Sequence, residues 1–324
     1  FNGLREVDLR CRGFGHHIPA LLASRGRPQM AVGGSARLTD ALQTVVKKAG
    51  GDFLTGVTIE TMETEGNRVT GVRLKDGRVF QAGKAVVSSL NPQQTFLDYL
   101  PPEVLPETWR ERAAGFEYNL LAPLFGLYVN LQEPLVYKAQ EKHPELEDAL
   151  MIVLGLESHE QFYEIVEKHE AGAIPGPVMW GGHPSHFDSS QAPEGKQTAF
   201  LWEKLPFALR GDPKNWDSYQ SAHGRQRLEF WKEYAPNLEE ATLDWFTKSA
   251  LDTYRDYPNM QGGDLLVGSF QNGQMGYNRP FPGAGQYRTC LEGLYLCGSS
   301  SYPGGNVTGL PGYNAAQVVL EDLG

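Results

Sequence analysis

Gly293 to Ala316 reads GLYLCGSSSYPGGNVTGLPGYNAA. Its opening Leu294-Tyr295-Leu296-Cys297 predicts a short buried strand, and the five glycines between Gly298 and Gly312 predict a loop in which backbone comes close to something else. Asn314 to Leu323 has helical spacing and ends at Gly324. This order brings bare N–H groups and the positive end of a helix dipole to one place, which suits an anion or a flat polar ring. A cofactor is expected here, although a surface loop with turn glycines satisfies the same spacing.

Moving back along the chain, Gly33-Gly34 precedes Arg37 to Ala49, where Leu38, Ala41, Leu42, Val45, Val46 and Ala49 fall at helical spacing before the stop at Gly50-Gly51. An amphipathic helix is predicted. Val57 to Met62, Arg68 to Leu74, Arg78 to Gln81 and Ala85 to Ser88 follow as strand candidates, divided by Glu65-Gly66-Asn67 and Asp76-Gly77, and read as a β-meander. From Pro101 the character changes. Leu124 to Leu131 and Thr198 to Leu205 predict strands. Helices are predicted near Glu141 to Leu150 (interrupted by Pro144), Ser158 to Glu170, Trp216 to Tyr234 and Leu238 to Leu251. Trp202, Trp216, Trp231 and Trp245 are concentrated in this region, where such rings either fill a core or line an apolar pocket.

Composition narrows the function. The 324 residues carry 29 basic and 39 acidic side chains, a net charge of −10 that disfavours nucleic acid as a partner. Apolar residues make up 40 % of the chain without any run long enough for a spanning helix, so no transmembrane segment is expected. Cys11, Cys290 and Cys297 have no CxxC spacing and read as reduced thiols, which with the lack of a signal-like stretch favours the cytoplasm or an organelle matrix. In His183-Pro184-Ser185-His186 with Asp188, the proline prevents a helical pair of ligands, and His16-His17 reads as a solvated pair; no metal site is expected. Neither GxSxG nor GxxxxGK[ST] occurs, which disfavours serine hydrolases and NTPases.

The stretch Gly293 to Ala316 resembles the C-terminal flavin signature of phytoene-desaturase-like FAD-dependent oxidoreductases, as do GGSARLTDALQTVVKKAG with AVVSSLNPQQTF further upstream and GGDLLVGSFQNGQMGYNRPFPGAGQYRTC just ahead of it. The resemblance implies an α/β (α+β) chain with a partial, glutathione-reductase-like FAD-binding domain and a second, substrate domain. The expected division is 27–100 plus 262–324 for the flavin side and 1–26 plus 101–261 for the substrate side. The GxGxxG segment that holds the FAD pyrophosphate in such proteins has no match: Gly13-Phe14-Gly15 and Gly283-Ala284-Gly285 lack the third glycine. With a start at Phe1, this reads as an N-terminal segment that was cleaved, left out or supplied by another chain.

Carried over residue by residue, the resemblance places Val57 at the backbone that pairs with adenine, with an ordinary core valine as the alternative. Gly298 and Ser299 fall at the turn beside the ribityl phosphate chain, with serine where an acid is common. Gly305, Asn306, Val307 and Thr308 fall along the isoalloxazine ring, where N–H groups and the helix dipole favour negative charge at the N1/O2 edge. Asn306 replaces a glycine. It either donates an amide to the ring or simply tolerates a left-handed turn. Ahead of Arg279-Pro280 the chain departs from the family pattern. Tyr277 can donate a proton or be a buried structural tyrosine, and Arg279 can neutralise flavin or substrate charge or form a structural ion pair. The resulting expectation is hydride transfer from an apolar or amphipathic small molecule to FAD. The alternatives are a flavin-dependent isomerase or saturase, and a non-catalytic flavoprotein fold serving as a scaffold or subunit.

Overall fold

A computed structural model of the protein describes residues 30–324 except residues 272 and 306. In chain order it contains helix α1 (Ala36–Lys48), strands β1 (Ile59–Glu65), β2 (Arg68–Leu74), β3 (Val79–Gln81) and β4 (Val86–Ser88), helix α2 (Glu107–Ala114), strands β5 (Leu124–Leu131) and β6 (Ile152–Leu154), and helix α3 (Glu160–Glu170). Strand β7 (Met179–Gly182), helix α4 (Pro184–Phe187), strand β8 (Gln197–Lys204), helices α5 (Asn215–Lys232) and α6 (Leu238–Ala241), strand β9 (Thr242–Lys248), helix α7 (Ala250–Asp256), strand β10 (Leu294–Leu296) and helix α8 (Leu310–Leu323) follow. The chain is thus mixed helix and sheet. Its described residues form two compact units, one of 54–122 with 256–324 and one of 30–53 with 123–255.

In the first unit β1, β2 and β3 form an antiparallel sheet. Gly66 and Gly77 take positive φ at its two turns, where Asp76 also accepts from Arg78 N at 3.1 Å, so turn chemistry sets the register as the sequence indicates. Strand β4 corrects the meander. It leaves β3 and pairs in parallel with β10, Val86 opposite Leu294 and Ser88 opposite Leu296. Apolar alternation marks a segment as extended but does not name its partner, and this partner lies far along the chain. Met62, Val69, Phe96, Leu105, Leu294 and Leu296 lie in the core of this unit, with the rings of Phe96, Trp109 and Phe281 meeting at centroid distances of 5.3 to 5.8 Å.

The second unit is an antiparallel sheet of order β6-β7-β8-β5-β9. Leu127, Val129, Leu131, Ala199 and Leu201 point to one face and pack with Trp231 of α5 in a buried core. Glu203 on the same face is only 1 % exposed; it accepts from His223 Nε2 and from Nε and Nη2 of Arg227, each at 2.8 Å. Gly181 permits the close pairing of β7 with β8, because a Cβ there would lie 1.8 Å from the Phe200 carbonyl oxygen.

Several expectations change in this unit. The predicted helix 238–251 is α6, then β9, then α7: Trp245 packs toward the core while Phe246 stands 54 % exposed on the other face, a period of two that an apolar count over a wide window obscures. Residues 141–150 form short 3₁₀ turns around Pro144 rather than a helix. Helix α1 exists at its predicted place, yet none of its residues is buried, and Leu42 and Val45 are exposed. Where the sequence assigned residues 27–53 to the flavin side, Gly33 N donates to Asp188 Oδ2 at 2.7 Å and 30–53 group with 123–255.

Candidate functional site

Strand β10 runs straight into the glycine loop. Cys297 N donates to Ser88 O at 2.7 Å, so the ends of β10 and β4 stay together as the loop begins. Gly298 then takes φ +84°, and a Cβ there would lie 2.6 Å from Ser89 O. No other residue type fits that close approach without moving β4. Gly304, at φ +111°, lies over Phe270, whose ring a Cβ would meet at 2.8 Å; at Gly305 a Cβ would lie 3.2 Å from Leu266 O. Val307 is 86 % exposed with φ +55°, and Gly309 at φ +69° precedes α8. Thr308 Oγ1 accepts from Leu310 N at 3.3 Å. The helix begins at Leu310, four residues before the predicted start, because Pro311 needs no partner for its missing N–H in a first turn. Asn306 lies outside the described residues.

Beneath this loop lies a knot of buried polar groups centred on Arg279, which is 1 % exposed. Its Nη1 donates to Ser269 O at 3.0 Å and Gln274 O at 3.3 Å, and its Nη2 to Val267 O at 3.1 Å, Gly268 O at 3.2 Å and Ser299 O at 3.0 Å. The guanidinium also lies 4.6 Å from the Phe270 ring centre. Burial pulls Arg279 down to about 10, opposed by the charge of Asp264. Asp264 is itself buried and accepts from the backbone N of Asn119 at 2.8 Å, Leu266 at 2.8 Å and Gly268 at 2.9 Å; burial nevertheless pushes its carboxyl up. Arg279 Nε has no hydrogen-bond partner among the described residues, and a Cβ on Gly304 would approach it to 3.4 Å.

Of the residues singled out by sequence, the structure therefore unites Arg279, Ser299 and the backbone of Gly298 and Gly305. Tyr277 is 73 % exposed, so the buried-tyrosine alternative does not hold. Val57 is half-buried and precedes β1, whose first residue is Ile59 rather than Val57. Cys290 and Cys297 are half-buried and unbridged, and burial pushes the Cys290 thiol up to about 11. His183 bonds to Tyr137 Oη at 2.9 Å, His186 faces Asp148 at 3.5 Å, and Asp188 holds Gly33 and Ser190, so the three serve separate local roles. Cys11, His16, His17 and the Gly13-Phe14-Gly15 stretch lie outside the described residues. Asp264 and Asn119 were missed. An aspartate followed at short range by glycine was the visible signal for Asp264, whereas the long-range partner Asn119 gave none.

The residues present fit a flavin. Glycines whose Cβ would collide with backbone line the loop, the loop leads into a helix N-terminus, and a buried cation with one unspent N–H lies behind it. No protein-family model matches the chain. Over 317 residues it is 28 % identical to pyridine nucleotide-disulfide oxidoreductase domain-containing protein 2 of Mus musculus, covering 95 % of this chain and 54 % of that protein. Over 295 residues it is 25 % identical to the lycopene-forming phytoene desaturase of Pantoea ananas, covering 90 % of this chain and 56 % of that protein. The chain thus spans about half the length of the curated relatives it matches. Cyclohexylamine oxidase from Brevibacterium oxydans shares its fold, with a TM-score of 0.51 at 12 % identity over 90 % of this chain and 53 % of that one. In sequence and in fold, the chain is similar to the phytoene-desaturase-like FAD-dependent oxidoreductases.

Proposed function

We propose that this chain forms part of an FAD-dependent oxidoreductase that acts on an apolar or amphipathic small molecule. The observation that carries the reading is the glycine loop between β10 and α8, closed against β4 at Gly298 and backed by Arg279. When bound, FAD supplies the two-electron acceptor that oxidation of a C–H bond by hydride transfer requires. The chain's own contribution is positioning and charge: Gly298, Ser299, Gly305, Val307 and Thr308 would offer backbone to the cofactor, while Arg279 locks the 266–269 turn to Ser299. The pyrophosphate cradle, for which residues 1–324 hold no GxGxxG, comes from a further segment or chain.

Flavin content of the protein expressed from its full reading frame tests this. Absorbance at about 450 nm after purification is expected, since oxidised flavin absorbs there. Gly298→Ala should lower that content while Gly83→Ala, where a Cβ meets nothing, leaves it alone. A folded protein free of flavin, or equal flavin in both variants, would contradict the assignment.

A further inference from the structure

Among the described residues Arg279 forms no ion pair: its six acceptors are the carbonyls of Leu266, Val267, Gly268, Ser269, Gln274 and Ser299. Neutral dipoles therefore solvate a guanidinium that is 1 % exposed, and its charge stays uncancelled where it stands. Asp264 carries the balancing charge of this cluster, and one peptide keeps the two apart. The N–H between Val267 and Gly268 donates to Asp264 Oδ2 at 2.9 Å, while the carbonyl of the same peptide accepts from Arg279 Nη2 at 3.1 Å. Asp264 also accepts from Asn119 N, Asn119 Nδ2 and Leu266 N, at 2.8, 3.3 and 2.8 Å. The pair is thus an oriented dipole with its positive end at Arg279.

That positive end adjoins the glycine loop. Arg279 Nη2 reaches Ser299 O at 3.0 Å, and Nε, without a partner among the described residues, would meet a Cβ on Gly304 at 3.4 Å. Helix α8, 14 residues long, begins at the other end of the loop and adds the positive end of its own dipole there. The loop holds nothing to cancel this charge, since no Asp, Glu, His, Lys or Arg occurs from 298 to 320. The titratable groups on and beside it are Cys297, Tyr287, Tyr302 and Tyr313. Burial pushes the Cys297 thiol up, and Tyr287 Oη donates to Tyr302 O at 2.8 Å. Tyr302 and Tyr313 stand 42 % and 64 % exposed.

We infer that Arg279 holds the reduced flavin as its anion, standing as an uncancelled positive charge behind the loop while Asp264 stays beyond the Val267–Gly268 peptide. A hydride carries two electrons and one proton. Flavin that takes it from a C–H bond, leaving the substrate carbon oxidised, gains one negative charge, and a fixed cation that offsets this charge makes a second proton unnecessary. Arg279 acts through its field rather than by touching the cofactor, and it makes the oxidised flavin a stronger acceptor. The assignment rests on the FAD reading of the loop.

Spectroelectrochemical titration of the flavin-loaded protein, made from its full reading frame, tests this. One proton should enter with the electron pair in mildly acidic buffer, where free flavin takes up two. Arg279→Gln should weaken the preference for reduced over oxidised flavin at least about tenfold, about 30 mV for a two-electron couple. Asp264→Asn should strengthen it, and the double variant should lie between the two single ones. A structural role alone predicts otherwise: both single variants would shift the potential the same way, and the double variant furthest. If a variant misfolds, the wild-type proton count decides. A second proton, whether from Tyr302, Tyr313 or water, overturns the inference while flavin stays bound, as does a potential that Arg279→Gln leaves unmoved or Asp264→Asn lowers. A folded protein free of flavin would overturn the FAD reading and this one with it.

Discussion

Arg227→Met in the second unit should destabilise far more than removal of both charges. Glu203 is 1 % exposed and holds three donors at 2.8 Å, two of them from Arg227. Deleting the arginine side chain's donors leaves a buried carboxylate with His223 alone, a change expected to cost about 3–5 kcal/mol, as for other broken buried pairs. Glu203→Met combined with Arg227→Met removes the uncompensated charge as well. What then remains is His223 with Nε2 newly unpaired and Nδ1 without a partner among the described residues, costing about 1–3 kcal/mol. The double-mutant cycle should therefore show coupling of about 2 kcal/mol or more, because the two residues act as a unit. Urea unfolding followed by tryptophan fluorescence reads the right part of the molecule: Trp180, Trp202, Trp216, Trp231 and Trp245 lie in this unit and only Trp109 in the other. Costs that simply add, with the double variant as unstable as the sum of the two single ones, would refute the view that the cluster is a coupled buried ion network.

Acid should weaken the same unit. His169 is buried with Nδ1 donating to Ile165 O at 2.7 Å, and burial pulls it from 6.5 to about 4. A depressed histidine contributes stability that is complete above the unfolded value and is lost as pH falls toward the folded one, here between 6.5 and about 4. The loss reaches about 3 kcal/mol across that window, so the urea midpoint should fall from pH 7 to pH 4.5 less steeply in His169→Gln; identical slopes would count against it. Gly181→Ala should cost about 3 kcal/mol or more through its collision with Phe200 O, whereas Gly83→Ala should stay within about 0.5 kcal/mol, both read from thermal unfolding. Arg279→Met takes the donor from the carbonyls of Val267 and Ser299, while Gly268 O keeps Asn119 Nδ2 at 2.9 Å and Ser269 O keeps Gln274 Nε2 at 3.4 Å. Faster amide hydrogen exchange through 298–301 is expected, and unchanged protection would show that the guanidinium does not hold the loop.

Much of this architecture was legible because local chemistry specified it. Asp76-Gly77 announced a turn, Leu124 to Leu131 and Thr198 to Leu205 read as strands, and the glycines of 298–309 marked a close approach. What stayed hidden depended on distant partners. Nothing near Val86 names Leu294 as its neighbour, and nothing beside Arg279 says that six carbonyls from three segments converge on it. Residues 242–248 misled for another reason. Leu243, Trp245 and Phe246 populate both faces of a partly exposed strand, and a mixed run of that kind satisfies helical spacing equally well. Helix α1 shows the opposite case, in which the apolar stripe was read correctly and the burial it usually signals is absent among the described residues.

The pairing of Gly126 with Lys248 has a consequence for how such a chain can be made and varied. Strand β5 enters the second unit and β9 runs back beside it in the opposite direction, so residues 123–255 begin and end close together at one end of their own sheet. During synthesis this stretch can fold as soon as it emerges, before β10 exists. Once folded, it shortens the loop between β4 and β10, residues 89–293, to about a third of its length, an entropic gain of about 1 kcal/mol for closing the β4–β10 pair. The same geometry lets the ring-bearing sheet be lengthened, trimmed or exchanged as a cassette while Gly298 and its neighbours keep their partners.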